Sequence, residues 1–145
     1  MINYEEILNQ NLKNVLIEIL KNIEKNSLKE GNHLYITLLT NHPNNSIPKW
    51  LKDKHPSEIT IVIQHEFYNL KVKKNNFLIT LSFNDKLIDL DIDYNSIVSF
   101  ADPFANFGLK LINSKNTYIG NKAPKKKVKK EKKNNVIDLA NYKKN

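Results

Sequence analysis

Between residues 4 and 23 the apolar side chains fall at Tyr4, Ile7, Leu8, Leu12, Val15, Leu16, Ile19, Leu20 and Ile23. Steps of three, four and one keep all nine on one stripe of an α-helix. Asn3 is suited to cap its start, and Glu5 and Glu6 suit the positive end of the helix dipole. The stripe is continuous along the whole helix. Either the rest of a domain of this size covers it, or a second copy of the same helix does.

After Gly31 the period shifts toward two. Leu34–Leu39 reads LYITLL, a strand-rich run, and Ile59–Ile63 reads ITIVI, apolar enough for a central strand. Phe77–Phe83 alternates, with Phe77, Ile79, Leu81 and Phe83 on one face and Leu78, Thr80 and Ser82 on the other. Asn84-Asp85 is a turn signal before Leu87–Ile92, so these two strands form a hairpin. The intervening stretch Asn41–Pro56 contains Pro43, Pro48 and Pro56. It accommodates one short helix, with Pro48 at its first position and Trp50 and Leu51 packing down. Ser96–Phe100 and Phe104–Ile112 complete the compact part, the second as a last strand. The expected fold is α+β: an N-terminal amphipathic helix, then a small, mostly antiparallel sandwich- or barrel-like β domain.

From Asn121 the composition changes. Ala123-Pro124 leads into KKKVKKEKK, a like-charge block that repels itself and has nothing to bury, so a disordered tether is expected. Beyond it lies an isolated apolar stretch, Val136-Ile137-Asp138-Leu139-Ala140-Asn141-Tyr142. This reads as a docking peptide for another protein or as a strand returning to the domain.

The charge distribution follows the same division. All 23 cations of the 145-residue chain are lysines, against 15 acids, for a net charge of +8. Residues 1–120 hold 13 lysines and 13 acids, whereas residues 121–145 hold 10 lysines with Glu131 and Asp138. The basicity therefore belongs to the tail and not to the folded body, which weakens the inference from a basic chain to nucleic-acid binding. A lysine-only tail without interleaved aromatics attracts phosphate without reading bases, so no specific nucleic-acid partner is expected.

Catalytic constellations are hard to write. With three glycines (Gly31, Gly108, Gly120) there is no phosphate loop or nucleophile elbow, and with no cysteine no thiolate site. His33, His42, His55 and His65 lack the spacing of a helical metal pair. Asp89, Asp91 and Asp93 share the spacing of a calcium loop, but Tyr94 and Phe100 stand where such a loop needs Gly and Glu. The three instead fit the polar face of an amphipathic strand whose other face is Ile88, Leu90 and Ile92. No metal and no cofactor are expected. The start lacks a signal-peptide pattern, and apolar runs are too short to span a membrane, so a soluble cytoplasmic protein is expected.

The densest candidate site is Thr60–Leu70, where an apolar strand runs into Gln64, His65 and Glu66 and then into Phe67 and Tyr68. It reads either as a strand end with core aromatics or as a place where a peptide is held by an exposed strand and side-chain pockets.

Together HLYITLLT from His33, KHPSEITIVIQHEFYNL and FLITLSF resemble the alphaproteobacterial branch of the stringent starvation protein B (SspB) family. The family's members are specificity-enhancing adaptors of the ClpXP protease. The resemblance covers nearly the whole chain, with Thr60–Leu70 as its most specific part. It implies a non-enzymatic protein that binds the ssrA tag added by tmRNA to products of stalled ribosomes. The implied tag groove is lined by Ile63, Gln64, His65, Glu66, Phe67 and Tyr68 and by Leu78, Thr80 and Ser82 on a facing strand. It further implies a homodimer through the N-terminal helix (Leu8, Leu12, Val15, Leu16, Ile19 and Ile23). The implied terminal module, with Val136, Ile137, Leu139 and Tyr142, docks on the N-terminal domain of ClpX. The implied division is a tag-binding and dimerisation domain over 1–118, a linker over 119–135 and the docking module over 136–145. The lysine-rich linker departs from relatives expected to be acidic. A basic-tailed RNA- or ribosome-associated protein is the alternative reading.

Overall fold

A computed structural model describes residues 1–28 and 31–111 of the chain. Helix α1 spans Tyr4–Asn26, and the Asn3 side chain accepts the Glu6 N–H at 3.0 Å, the cap expected from the sequence. Ser27 ends the helix with a positive φ of 62°, its N–H returning to the Ile23 carbonyl. The apolar stripe divides along its length. Leu16, Leu20 and Ile23 are buried in the chain's own core, Leu12, Ile17 and Ile19 are half-buried, and Tyr4, Ile7, Leu8 and Val15 are exposed.

Seven antiparallel strands follow: β1 (Leu34–Leu39), β2 (Glu58–Ile63), β3 (Tyr68–Val72), β4 (Asn76–Phe83), β5 (Lys86–Asp93), β6 (Ile97–Asp102) and β7 (Phe107–Lys110). They form a four-stranded sheet in the order β2-β1-β6-β7 and a three-stranded sheet in the order β3-β4-β5. Alternation sends Leu34, Ile36 and Leu38 of β1 inward, opposite Ile63, Ile61 and Ile59 of β2. From the second sheet Leu70, Phe77, Ile79, Leu81, Leu90 and Ile92 enter the same cluster. One core thus lies under both sheets and α1. The expected α+β class is the observed one.

Several expectations are corrected. The ITIVI run is an edge strand of its sheet, not a central one; Ile59, Ile61 and Ile63 are buried while Thr60 is exposed and meets Thr37 across the pair, hydroxyl to hydroxyl, at 2.8 Å. The short helix α2 is Lys49–Lys54, so Pro48 is the residue before its first turn. Leu51 packs down, whereas Trp50 remains 37% exposed. The last strand begins at Phe107, because Pro103–Ala105 forms a 3-10 turn capped by the Asp102 carboxylate, and Phe104 is left exposed. β3 was not anticipated as a strand. The Phe77–Phe83 hairpin is as expected, with positive φ at both Asn84 and Asp85, as the tight two-residue turn requires. Ile112, the linker residues and Val136, Ile137, Leu139 and Tyr142 lie outside the described residues.

Candidate functional site

The chain leaves the four-stranded sheet at Ile63 and enters the three-stranded sheet at Tyr68, and the residues singled out from sequence bridge this step. Ile63 is fully buried on the inner face of β2. Gln64 is half-buried in the connection, and its amide finds no hydrogen-bond partner among the described residues. His65 and Glu66 are exposed, and Phe67 packs against the core from its margin. Tyr68 opens β3 and is 48% exposed.

Beyond Tyr68 a bulge reshapes the strand. Tyr68 lies opposite Thr80, and Lys71 lies opposite Leu78, so three steps on β3 match two on β4. The extra residue, Asn69, takes a φ of 54°, a left-handed conformation that Asn tolerates better than most residues. The bulge lets Leu70 turn into the core while Tyr68 and Lys71 both come into register with the outward residues of β4.

On that outer face, β4 contributes Leu78 and Thr80, and β5 contributes Asp91 opposite Leu78 and Asp89 opposite Thr80. These residues, with Asn69 and Lys71, line a groove of about 310 Å³. Its far wall is closed by Ser46, whose backbone pairs with Asp91 in both directions at 2.9 and 3.2 Å. The floor is tied across all three strands. The Asn69 amide donates to the Thr80 hydroxyl at 3.3 Å, and that hydroxyl donates to Asp89 Oδ1 at 2.6 Å. Thr80, although on the outer face, is therefore 94% buried and held in one orientation, since its relative exposure is 6%. Asn76 donates to Asp91 Oδ1 at 2.7 Å.

The structure thus brings Leu78 and Thr80 into one groove with Tyr68 beside them. Ser82 lies further along β4, exposed, opposite Leu87. Gln64, His65 and Glu66 belong to the connection that delivers β3 and do not line the groove. Ser46, Asn69, Lys71, Asp89 and Asp91 were missed as site residues. The Asp alternation was visible in the sequence, but nothing local showed which neighbouring strand it would face. Among the described residues no three His, Asp or Glu side chains converge as metal ligands, and no helix is long and apolar enough to cross a membrane.

A strand-lined groove with apolar, hydroxyl, amide and charged groups suits an extended polypeptide better than a compact metabolite. No curated protein matches the chain. The model of one family, described as stringent starvation protein B, matches residues 6–144. The match takes in α1 from its third residue, both sheets and nearly all of the tail, and the chain therefore belongs to the SspB family, a family of adaptor-type proteins.

Proposed function

We propose that this protein is a non-enzymatic adaptor that binds the ssrA degradation tag and delivers tagged proteins to the ClpXP protease. The observation that carries the reading is the groove on the outer face of β3, β4 and β5, where Thr80 is locked by Asn69 and Asp89 and flanked by Tyr68 and Leu78. An extended tag is held there by side-chain and main-chain bonds. The half-buried Gln64 amide, without a hydrogen-bond partner among the described residues and at the entrance to β3, supplies a further contact.

Delivery is mass action rather than bond chemistry. The groove holds the tag, residues 136–145 dock on the N-terminal domain of ClpX, and residues 119–135 connect the two. Linking two weak contacts in this way gives effective concentrations of roughly millimolar and avidity gains of ~10²–10⁴. Tyr4, Ile7, Leu8 and Val15, exposed on one helix, supply the apolar surface for a homodimer with two such tails.

Removing residues 136–145 is expected to leave tag-peptide affinity unchanged by fluorescence anisotropy while abolishing stimulated degradation of a tagged reporter by ClpXP. A reporter with scrambled final residues is expected to escape both. Unchanged stimulation by the shortened chain sinks the docking role. The segregation of net charge +8 into residues 121–145 favours a second reading, RNA or ribosome association, which predicts steeply salt-dependent RNA binding lost with residues 121–135.

A further inference from the structure

Along β5 the alternation places Asp89, Asp91 and Asp93 on one face, but the three carboxylates are used differently. Asp93 is buried and has both oxygens engaged: Oδ1 accepts the Asn95 N–H at 2.7 Å and Oδ2 accepts the Asn44 amide at 2.9 Å. Among the described residues, Asp89 and Asp91 each engage one oxygen only, accepting from the Thr80 hydroxyl and the Asn76 amide respectively. Neither forms an ion pair among the described residues, where the one such pair is Lys49 with Asp53. Both line the groove.

The two bonds do not account for the charge. A neutral amide or hydroxyl can also accept from Thr80 and Asn76, though less strongly than a carboxylate, so these bonds do not require a charge. Two like charges two residues apart on one strand face, about 6.5–7 Å between Cα atoms, disfavour the fold slightly rather than support it. Lys71 does not neutralise them. It stands on the far side of Leu78 from Asp91, two strand spacings or about 9.5 Å away along the sheet, without an ion-pair partner among the described residues. Among the described residues the groove is therefore polarised, with an acidic wall on β5 that no ion pair neutralises and a single lining cation, Lys71, on β3.

Resting on the reading of this groove as a peptide site, we infer that Asp89 and Asp91 are specificity-determining residues that select a peptide carrying a basic side chain against the β5 wall. A lysine or arginine there uses the free oxygens of both carboxylates, and an acidic residue at the same place is repelled by both. The Thr80 and Asn76 bonds hold the two carboxylates in position before the ligand arrives, which reduces the ordering cost of binding. Selection by charge adds discrimination between peptides of similar length and hydrophobicity.

The test uses the full-length protein and a fluorescein-labelled tag peptide with two series of variants, in which each position in turn is Lys or Glu. Anisotropy is expected to show, at one position or two neighbouring ones, about fivefold or more tighter binding of the Lys peptide than of the Glu peptide. In about 0.5 M salt this preference is expected to shrink. In the double variant D89N/D91N, which keeps acceptors for Thr80 and Asn76, it is expected to fall within about twofold, with the circular dichroism spectrum unchanged. Equal affinities for Lys and Glu at every position, or a preference unaltered in the double variant, overturn the inference while leaving the groove as the peptide site. Failure of the unsubstituted peptide to bind, or its undiminished binding to Leu78→Lys, instead removes the groove reading and the charge selection with it.

Discussion

The Glu24 carboxylate, on the last turn of α1, accepts the backbone N–H of Val72 on β3 at 3.3 Å. β3 is an edge strand, and at this point the helix satisfies a donor that the sheet leaves free. The same carboxylate lies close enough to Tyr94 to act on its phenol. Burial first, and the Glu24 charge second, push the Tyr94 hydroxyl up to about 12. Tyr94 in turn donates to the Lys73 carbonyl at 2.9 Å and stacks on Phe77, with ring centroids 5.9 Å apart. One corner of the domain thus joins helix end, edge strand and the turn between the two sheets.

Tyr94 makes stability fall in alkali. The unfolded phenol releases its proton near 10, whereas the folded one holds it until about 12. Its contribution is complete below pH 10 and is lost as pH rises from 10 toward 12. Urea unfolding across this range is expected to show that loss in the wild type and a flatter profile in Tyr94→Phe. At neutral pH the same variant is expected to lose about 1 kcal/mol with the Lys73 bond. A profile unchanged by the substitution contradicts the assignment.

The helix stripe is expected to separate into two energetic classes. Leu20→Ala, in the core, should cost about 2–5 kcal/mol by urea unfolding. Leu8→Ala, at an exposed position, should cost less than about 1 kcal/mol of protomer stability. Leu8→Glu is expected to halve the sedimenting mass if the exposed part of α1 joins two copies. A mass that stays dimeric after this change places the dimer contact elsewhere.

Thr80 is the hinge of the groove floor. Thr80→Val keeps its shape but removes both the bond from Asn69 and the bond to Asp89. The expected cost is about 1–3 kcal/mol in stability, with faster amide exchange at the Asn69 bulge, where the left-handed backbone loses its tie. Tag-peptide affinity is expected to fall with it. Retained affinity shows that the ordered hydroxyl is not part of recognition.

Gln64→Ala is expected to weaken tag-peptide binding by about 1–3 kcal/mol with no loss of stability, because its amide makes no bond to the described residues. Anisotropy and thermal melts measured together check both halves. An unaltered dissociation constant moves the tag contact away from the β2–β3 connection.

Helix α1, strands β1, β2, β4 and β5, the hairpin turn and the separation of a neutral body from a lysine-rich tail were all legible in the order of residues. Each depends on a local period or on a charge count, and local periods survive any tertiary arrangement compatible with the same core. Which part of the helix stripe is buried was not legible: Leu8 and Leu16 are chemically alike, and only the position of the sheets beneath α1 separates them. Nor was the edge position of β2, since its hydrophobicity reflects one well-buried face rather than two neighbours. Beyond Leu78 and Thr80, the lining of the groove was decided in three dimensions. A single left-handed residue, Asn69, shifts the register so that Lys71 faces Leu78, and the hairpin brings Asp89 and Asp91 alongside. Neither a bulge nor a cross-strand neighbour leaves a periodic trace, because both depend on pairing between residues far apart along the chain.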